Sequence, residues 1–395
     1  MSTSSSWQKL VTVLADDGQI APEWVPVFEE LPRTGFLPDL IWKHNVATKT
    51  VEAADRARDP KEWLTAAESG APLVTQWDDG KHQGTGRGQV ASSSASAPSV
   101  VASMLRDLDV RPGQRVLEIG TGTGWNAGLL ARRLGVDRVT TIEVDKALAE
   151  AARAALSRHG LEAAVVCGDG FLGHPPGAPY DRIIATCGIS TAFPDAWLGQ
   201  CRRGGVIVLP WGTPFTHTEA TVALTVAQDG RSASGHFTKI VQFMSLRAQR
   251  REHPAYEDYV TAESRENADK SITALTLEET LGGEWDINRF ALGLLVPDST
   301  VIFDKPKDGR HPVWLCGLTD RSWACVLFRE DGQHAAVFQY GDRRLWDEVA
   351  IAHEEWVRRD RPGLGRLGLT IHADGDGPSV WSDSPDNAFR LHAPV

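Results

Sequence analysis

The run Glu118-Ile119-Gly120-Thr121-Gly122-Thr123-Gly124 stands between a β-branched stretch and an amphipathic one. Glycines at a strand-to-helix turn let a ligand approach the backbone, and such turns border the crevice where open α/β sheets bind ligands. The spacing is GxGxG, not the GxGxxG that lays a pyrophosphate on a helix N-terminus, which argues against a nicotinamide or flavin enzyme. Glu143 ends the next predicted strand, where a carboxylate can accept from ribose hydroxyls. The strand after that runs into Gly168-Asp169-Gly170, where Asp169 could accept from an adenine amino group while the glycines admit the ring. Three signals at three successive strand ends fit an adenosyl group without phosphates. Gly120, Thr121, Gly122, Gly124, Glu143, Asp169 and Gly170 are the expected contacts. Glu118 could bond an ammonium of the same ligand or be a structural carboxylate. Trp125 could stack on a cationic ligand or pack its helix against the core.

A second chemical segment lies upstream: Gln89-Val90-Ala91-Ser92-Ser93-Ser94-Ala95-Ser96-Ala97-Pro98-Ser99, rich in hydroxyls, with Pro98 at the expected first helical position. Its alternatives are a functional wall beside the glycine turn or a flexible serine loop.

These residues need a scaffold, and residues 98–245 supply its pattern. Strands are predicted at Arg115–Ile119, Arg138–Glu143, Ala163–Cys167, Tyr180–Ala185 and Gly205–Leu209, alternating with helices that end near Gly135 and Gly160. That is a doubly wound parallel α/β sheet. Thr221–Val226, the Asp229-Gly230 turn and the stretch reaching Phe243 predict a hairpin that gives the sheet an antiparallel edge. The polar stretch Arg247–Asn267 reads as a linker. Beyond it the pattern is α+β: a hairpin about Glu330-Asp331-Gly332, a helix with Leu345, Val349, Ala352 and Trp356 on one face, then strands at Arg366–His372 and Val380-Trp381. Three regions are therefore expected: an N-terminal segment, 1–97, beside the acceptor; a ligand-binding core, 98–245; and a linker with a smaller C-terminal domain, 246–395.

The bulk composition limits the partners. The formal net charge is -11, and residues 251–395 carry 16 Lys and Arg against 26 Asp and Glu, which leaves 25 against 26 elsewhere. An acidic region repels phosphate backbones, so nucleic acid is disfavoured. No apolar run reaches the roughly 18 residues of a membrane span, and Met1–Trp7 has no basic-then-apolar signal, so no membrane partner is expected. Five dispersed cysteines without a CxxC pair predict buried thiols in a reducing cytoplasm and no metal site.

The serine segment with Met104-Leu105, the glycine turn, Gly168-Asp169-Gly170, Ala178-Pro179-Tyr180-Asp181-Arg182-Ile183-Ile184 and Gly204-Gly205-Val206 resembles protein L-isoaspartate O-methyltransferases, over about residues 20 to 245. Thr75-Gln76-Trp77-Asp78-Asp79-Gly80, Gly124-Trp125-Asn126-Ala127, Leu209-Pro210-Trp211-Gly212 and the C-terminal addition are similar to a branch found with ATP-grasp peptide maturases (graspetides) and lanthipeptide synthetases. The resemblance implies a Rossmann-like methyltransferase sheet, S-adenosyl-L-methionine as cofactor, and Ser93 among its contacts. It implies Ser96 and Ser94 as the catalytic hydroxyls, while Ser99 replaces a histidine common in the repair family. It further implies methylation of an Asp carboxylate in a modified ribosomal peptide, the ester closing to aspartimide. Isoaspartyl repair is the alternative, and a non-catalytic peptide-binding protein is the alternative of another class.

Overall fold

A computed structural model describes residues 5–45, 50–190, 192–251, 255–283, 285–332, 334–373 and 377–389. The first helix, α1 (Ser6–Asp16), opens with a reciprocal cap, in which the Ser5 hydroxyl accepts from the Gln8 amide and the Gln8 side chain accepts from the Ser5 amide. Trp7, Val11 and Leu14 form its buried face. The expected frayed start, Met1 to Ser4, lies outside the described residues. After α2 (Val25–Glu30) come β1 (Leu40–Asn45), β2 (Thr50–Asp55), α3 (Pro60–Ala67), β3 (Leu73–Trp77) and β4 (Ala91–Ala95). The four strands make a small antiparallel sheet of order β2-β1-β3-β4 over Ile41, Trp63, Leu73 and Ala95. The serine segment is thus a strand, and the flexible-loop alternative does not hold. Its polar residues gave no period-2 apolar signal, which is why the sequence did not announce it.

The central layer runs through α4 (Pro98–Leu108), β5 (Val116–Ile119), α5 (Trp125–Leu134), β6 (Val139–Glu143), α6 (Lys146–Arg158), β7 (Ala164–Cys167), β8 (Tyr180–Ala185), α7 (Asp195–Gln200) and β9 (Cys201–Trp211). These strands pair in parallel in the order β9-β8-β5-β6-β7. The chain direction across the sheet reverses beside β5, so the turn after β5 opens at the switch point. All four β5 residues are buried, as helices on both faces require.

The hairpin of β10 (Glu219–Val226) and β11 (Ser232–Val241) turns at Asp229-Gly230 as expected, with Gly230 at φ 74°. It is not the edge of the sheet. After α8 (Ala262–Glu266), β12 (Asp269–Thr273), α9 (Leu277–Thr280), α10 (Ile287–Leu295), β13 (Ser299–Phe303), β14 (Arg310–Gly317), β15 (Trp323–Arg329), β16 (Ala335–Tyr340) and α11 (Leu345–Arg358), the chain returns. Its last strands, β17 (Leu367–His372) and β18 (Ser379–Ser382), extend the sheet to nine, with β17 antiparallel to β11. Leu367, Leu369 and Ile371 bury in the same core as Val222, Leu224 and Ala233, so the core does not stop at residue 245. Period-2 patterning marks a strand and does not say which sheet receives it.

Between these returns, β12-β16-β15-β14-β13 form a separate antiparallel sheet, including the expected β15–β16 hairpin. Phe290 of α10 meets Phe237 of β11 edge-to-face at 4.8 Å, joining it to the main core. Of the stretch read as a linker, residues 252–254 lie outside the described residues, and the rest carries short helices and is mostly exposed, with Gln249, Tyr259, Val260 and Ser264 buried. Cys201, Cys316 and Cys325 are buried and Cys187 is partly so, but Cys167, at the end of the outermost strand β7, is exposed, contrary to expectation. No helix among the described residues is long and apolar enough to cross a membrane.

Candidate active site

A cavity of about 990 Å³, including its open mouth, lies over the ends of β5, β6 and β7. Its floor is the glycine turn. Gly120, Gly122 and Gly124 have φ of 92°, 53° and 84°, a region costly for side chains with a Cβ. The Gly120 and Thr121 amides donate to the Ile142 carbonyl at 2.9 and 3.1 Å, tying the turn to β6. α5 follows Gly124, which as N-cap offers no side chain; the Trp125 amide donates to Thr123 Oγ1 at 3.5 Å, and the next amides remain available to an anionic group.

Glu143 ends β6 and lines the cavity. One carboxylate oxygen accepts from the Gly122 amide at 2.9 Å and the other from the Asp145 amide at 3.0 Å, which fixes the head while leaving lone pairs for a diol. At the end of β7, one Asp169 oxygen accepts from the Phe171 amide at 2.9 Å, and the exposed carboxylate keeps its second oxygen. A Cβ on Gly170 would lie 2.5 Å from Ile119 Cγ2 and 3.5 Å from Leu246 Cδ1, so the absent side chain lets Ile119 pack directly on the backbone at the apolar side of the cavity.

Glu118 lines the cavity but is fully buried beneath the turn. Its oxygens accept from Asn126 Nδ2 at 2.7 Å and Thr141 Oγ1 at 2.5 Å, and Thr141 meets the Thr121 hydroxyl at 2.7 Å. Burial pushes its pKa up to about 7 against those two hydrogen bonds, with Glu143 adding repulsion. The geometry makes Glu118 the anchor of Asn126, a cavity-lining residue whose own Oδ1 is buried with no hydrogen-bond partner among the described residues. The Trp125 ring turns away, edge-to-face with Trp7 and Phe28 at 5.8 and 5.6 Å, and its indole N–H donates to the Leu31 carbonyl. Its packing alternative therefore holds.

The cavity wall opposite the glycines is β4, where Ser92 to Ser96 all line the space. The Ser93 hydroxyl accepts from Thr75 Oγ1 at 3.1 Å, which leaves its own proton to donate. Ser93 and the Ser94 carbonyl lie 3.7 Å from a Cβ placed on Gly122, so the strand and the turn face each other closely. The Ser94 and Ser96 hydroxyls have no hydrogen bond among the described residues. The end of this strand is pinned from behind by Arg33. This wholly buried guanidinium donates to the carbonyls of Ser96, Ala67 and Ser69 at 3.1, 2.8 and 2.7 Å. Burial lowers its pKa to about 10, so it stays cationic at neutral pH.

The mouth holds residues that the sequence reading placed in a linker. Arg247 and Arg250 line the cavity. Arg250 pairs with Asp79 at 2.9 Å, and Arg247 reaches Asp79 at 3.4 Å and Asp145 at 3.8 Å. Gln76 accepts from the Ser92 hydroxyl at 2.7 Å and donates to Asp145 at 3.1 Å. Burial opposes the Asp145 charge, yet Gln76, the Leu148 and Ala147 amides and nearby Arg247 hold its pKa below the usual range. Asp78 and Asp79 both sit at positive φ, 53° and 54°, which non-glycine residues rarely adopt. Only the Asp78-Asp79-Gly80 run was a signal in the sequence, since its arginine partners lie more than 160 residues downstream.

The glycine turn thus lies at the switch point of a doubly wound sheet, with Glu143 and Asp169 at the next two strand ends around one cavity, an arrangement suited to an adenosyl-type ligand. Residues 74–251 match the family model described as Protein-L-isoaspartate(D-aspartate) O-methyltransferase. That region resembles the L-isoaspartate O-methyltransferase family. A protein-L-isoaspartate O-methyltransferase of Methanopyrus kandleri is 44% identical over 130 residues, which are 32% of this chain and 55% of that one. The Pyrococcus horikoshii protein of the same name is 43% identical over 124 residues, 31% of this chain and 56% of that one. The chain thus spans about half the length of these curated relatives. A solved structure titled protein-L-isoaspartate O-methyltransferase aligns with 96% of this chain and 100% of its own at a TM-score of 0.52 and 20% identity, a likeness of fold.

Proposed function

We propose that the protein is an S-adenosylmethionine-dependent carboxyl O-methyltransferase whose acceptor is an Asp-derived carboxylate, in the first place an L-isoaspartyl residue. The observation that carries this is that Ser94 and Ser96, whose hydroxyls make no hydrogen bond among the described residues, line the adenosyl-type pocket. S-adenosylmethionine fits the residues present: Glu143 for the ribose diol, Asp169 and Gly170 for adenine, Ser93 and the α5 amides for a carboxylate, and the unpaired Asn126 Oδ1 for an ammonium. Bound there, it supplies an electrophilic methyl group.

The chain's own work is then positioning. A carboxyl with an ordinary pKa of about 3.9 is ionised at neutral pH, so no general base is needed. The reacting oxygen must lie roughly 3 to 3.5 Å from the methyl carbon and in line with the bond that breaks, and such orientation supplies about 7 to 11 kcal/mol in favourable cases. Ser96 and Ser94 donate to the other carboxylate oxygen, orienting it without neutralising it as a lysine would. Arg33 holds the Ser96 carbonyl and so fixes the strand end that carries that hydroxyl. Once esterified, the carboxyl has a leaving group that the next backbone nitrogen can displace, giving a cyclic imide.

The family match favours the isoaspartyl acceptor over the ribosomal-peptide acceptor. Two features support the latter as a second reading: Ser99, where the repair family commonly has histidine, and the Asp78-Asp79-Gly80 turn that anchors Arg250 over the pocket. Paired peptides of one sequence, with isoAsp or Asp, test the choice by S-adenosylhomocysteine release and peptide mass. The first reading expects turnover of the isoAsp peptide alone. A ribosomal peptide that gains one methylene and then loses methanol, ending one water lighter than it began, would move the assignment to the second. No S-adenosylhomocysteine with any peptide would leave a binding protein.

A further inference from the structure

The five-stranded sheet β12-β16-β15-β14-β13 packs the longer helices α10 and α11 on one face, while on the other the short α8 segment covers one end: Ser264 accepts from the Trp323 indole at 3.2 Å and Tyr256 meets Trp314 edge-to-face at 5.0 Å. On the first face Val313, Leu315, Ala324, Val326 and Val337 pack against Leu292 of α10 and Leu345 and Val349 of α11. Register places Trp314, Trp323, Leu327 and Phe338 on the opposite face. Tyr259, Val260 and Ala268 cover the Trp323 end of it. Trp314, Leu327 and Phe338 remain half-buried, and Ile272, on the same face of β12, is 73% exposed. A groove of about 640 Å³ lies on this face.

The charge on the groove opposes that of its surroundings. Residues 251–395 carry 16 cationic against 26 anionic side chains, yet the groove is lined by Arg265 and Lys270 and by no acid. Arg310 and Arg329, directly opposite one another in register, extend the same face beyond Leu327. Arg329 has Asp331 as a partner, whereas Lys270 and Arg310 have no ion pair among the described residues. Alongside runs β12, an edge strand paired only with β16, whose residues Asp269 to Ile272 are exposed. An open strand edge beside alternating apolar positions is the geometry that receives an added strand.

We propose that this face docks an extended acidic segment of the polypeptide substrate, one with aliphatic or aromatic residues at alternate positions. The carboxyl-transfer reading above enters only in making that polypeptide the substrate. Proximity to the pocket supports one ligand for both. Arg250 lines the catalytic mouth and Val260 the groove, ten residues apart in the chain, so the two lie within about 36 Å and an extended peptide of about a dozen residues spans them.

Fluorescence anisotropy with the full chain tests this using three labelled probes of equal length: alternating Asp and Val, alternating Lys and Val, and alternating Asp and Ser. The Asp-Val probe is expected to bind at least about tenfold more tightly than either control, because the site needs both charge and apolar side chains. Lys270→Glu with Ile272→Glu, both on an exposed strand away from the pocket, should cost about tenfold for that probe and leave turnover of a short isoaspartyl peptide unchanged. Fusing the Asp-Val segment to that short peptide should lower its KM in the wild type and not in the double variant. Equal binding of the three probes, or an unchanged affinity in the double variant, would overturn the proposal. Anisotropy needs no chemistry, so tight, variant-sensitive binding without S-adenosylhomocysteine release would sustain the dock and overturn the catalytic reading instead.

Discussion

Ser96 and Ser94 are the residues on which the proposed chemistry turns. Replacing either with alanine removes one hydrogen bond to a carboxylate, an interaction of about 1.5–3 kcal/mol, so kcat should fall roughly 10- to 100-fold. The affinity for S-adenosylhomocysteine, read by calorimetry, should hardly move for Ser96→Ala. A parallel loss of ligand affinity would instead place Ser96 in the cofactor site. Gly170→Ala should do the reverse, weakening the ligand more than tenfold while far-UV circular dichroism stays native, because the new Cβ forces Ile119 to shift at the cavity wall. Glu118 makes stability depend on pH. Its carboxyl has an ordinary value of 4.5 unfolded and is pushed up to about 7 by burial when folded, and Glu219, buried against the Phe243 amide, goes from 4.5 to about 8. Between those values the folded state binds more protons, so stability declines as pH rises from about 4.5 to 8. The decline is roughly 3 kcal/mol for Glu118. Thermal melts across that range should flatten in Glu118→Gln, and a melt profile identical to wild type would contradict the assignment.

Among elements, the segment after β11 matters most to ligand exchange. Arg247 and Arg250 cross from it to Asp79 and Asp145, binding the small N-terminal sheet to the large one over the cavity mouth. These pairs are partly exposed, so each is worth about 0.2–1 kcal/mol and is weakened by salt. Asp79→Asn is expected to raise the dissociation constant for S-adenosylhomocysteine about two- to fivefold at low salt and by less at high salt. A salt-independent effect would mean that the Asp78-Asp79 turn acts through its left-handed backbone and not through charge.

At the scale of the molecule, the return of β17 and β18 couples the C-terminal region to the catalytic sheet. A chain ended at residue 251 would lose β17 from its place beside β11 and expose Val222, Leu224 and Ala233, which share a core with Leu369 and Ile371. Such a truncation should be insoluble or melt far below the full chain, judged by expression and by a loss of cooperative unfolding. A truncated protein that melts like the full chain would show that the nine-stranded sheet is dispensable. For this reason the docking face is better probed by point changes on β12 than by deletion.

The sequence by itself made the proposed ligand end of this protein legible. The glycine turn, Glu143 and Gly168-Asp169-Gly170 were legible because each sits at a strand end within one βα unit, where local backbone geometry and spacing dictate the chemistry. The alternation of parallel strands and helices, the β10–β11 hairpin and the α11 stripe were legible for the same reason, since periodicity is a local property. Tertiary structure alone decided the rest. Arg33 behind Ser96, Arg250 against Asp79 and β17 beside β11 are contacts between residues far apart in the chain, and no local pattern encodes which partner closes such a loop. Asn126 followed the glycine turn in plain view, but its unpaired oxygen exists only because folding buried it beside Glu118 and left one acceptor without a partner among the described residues.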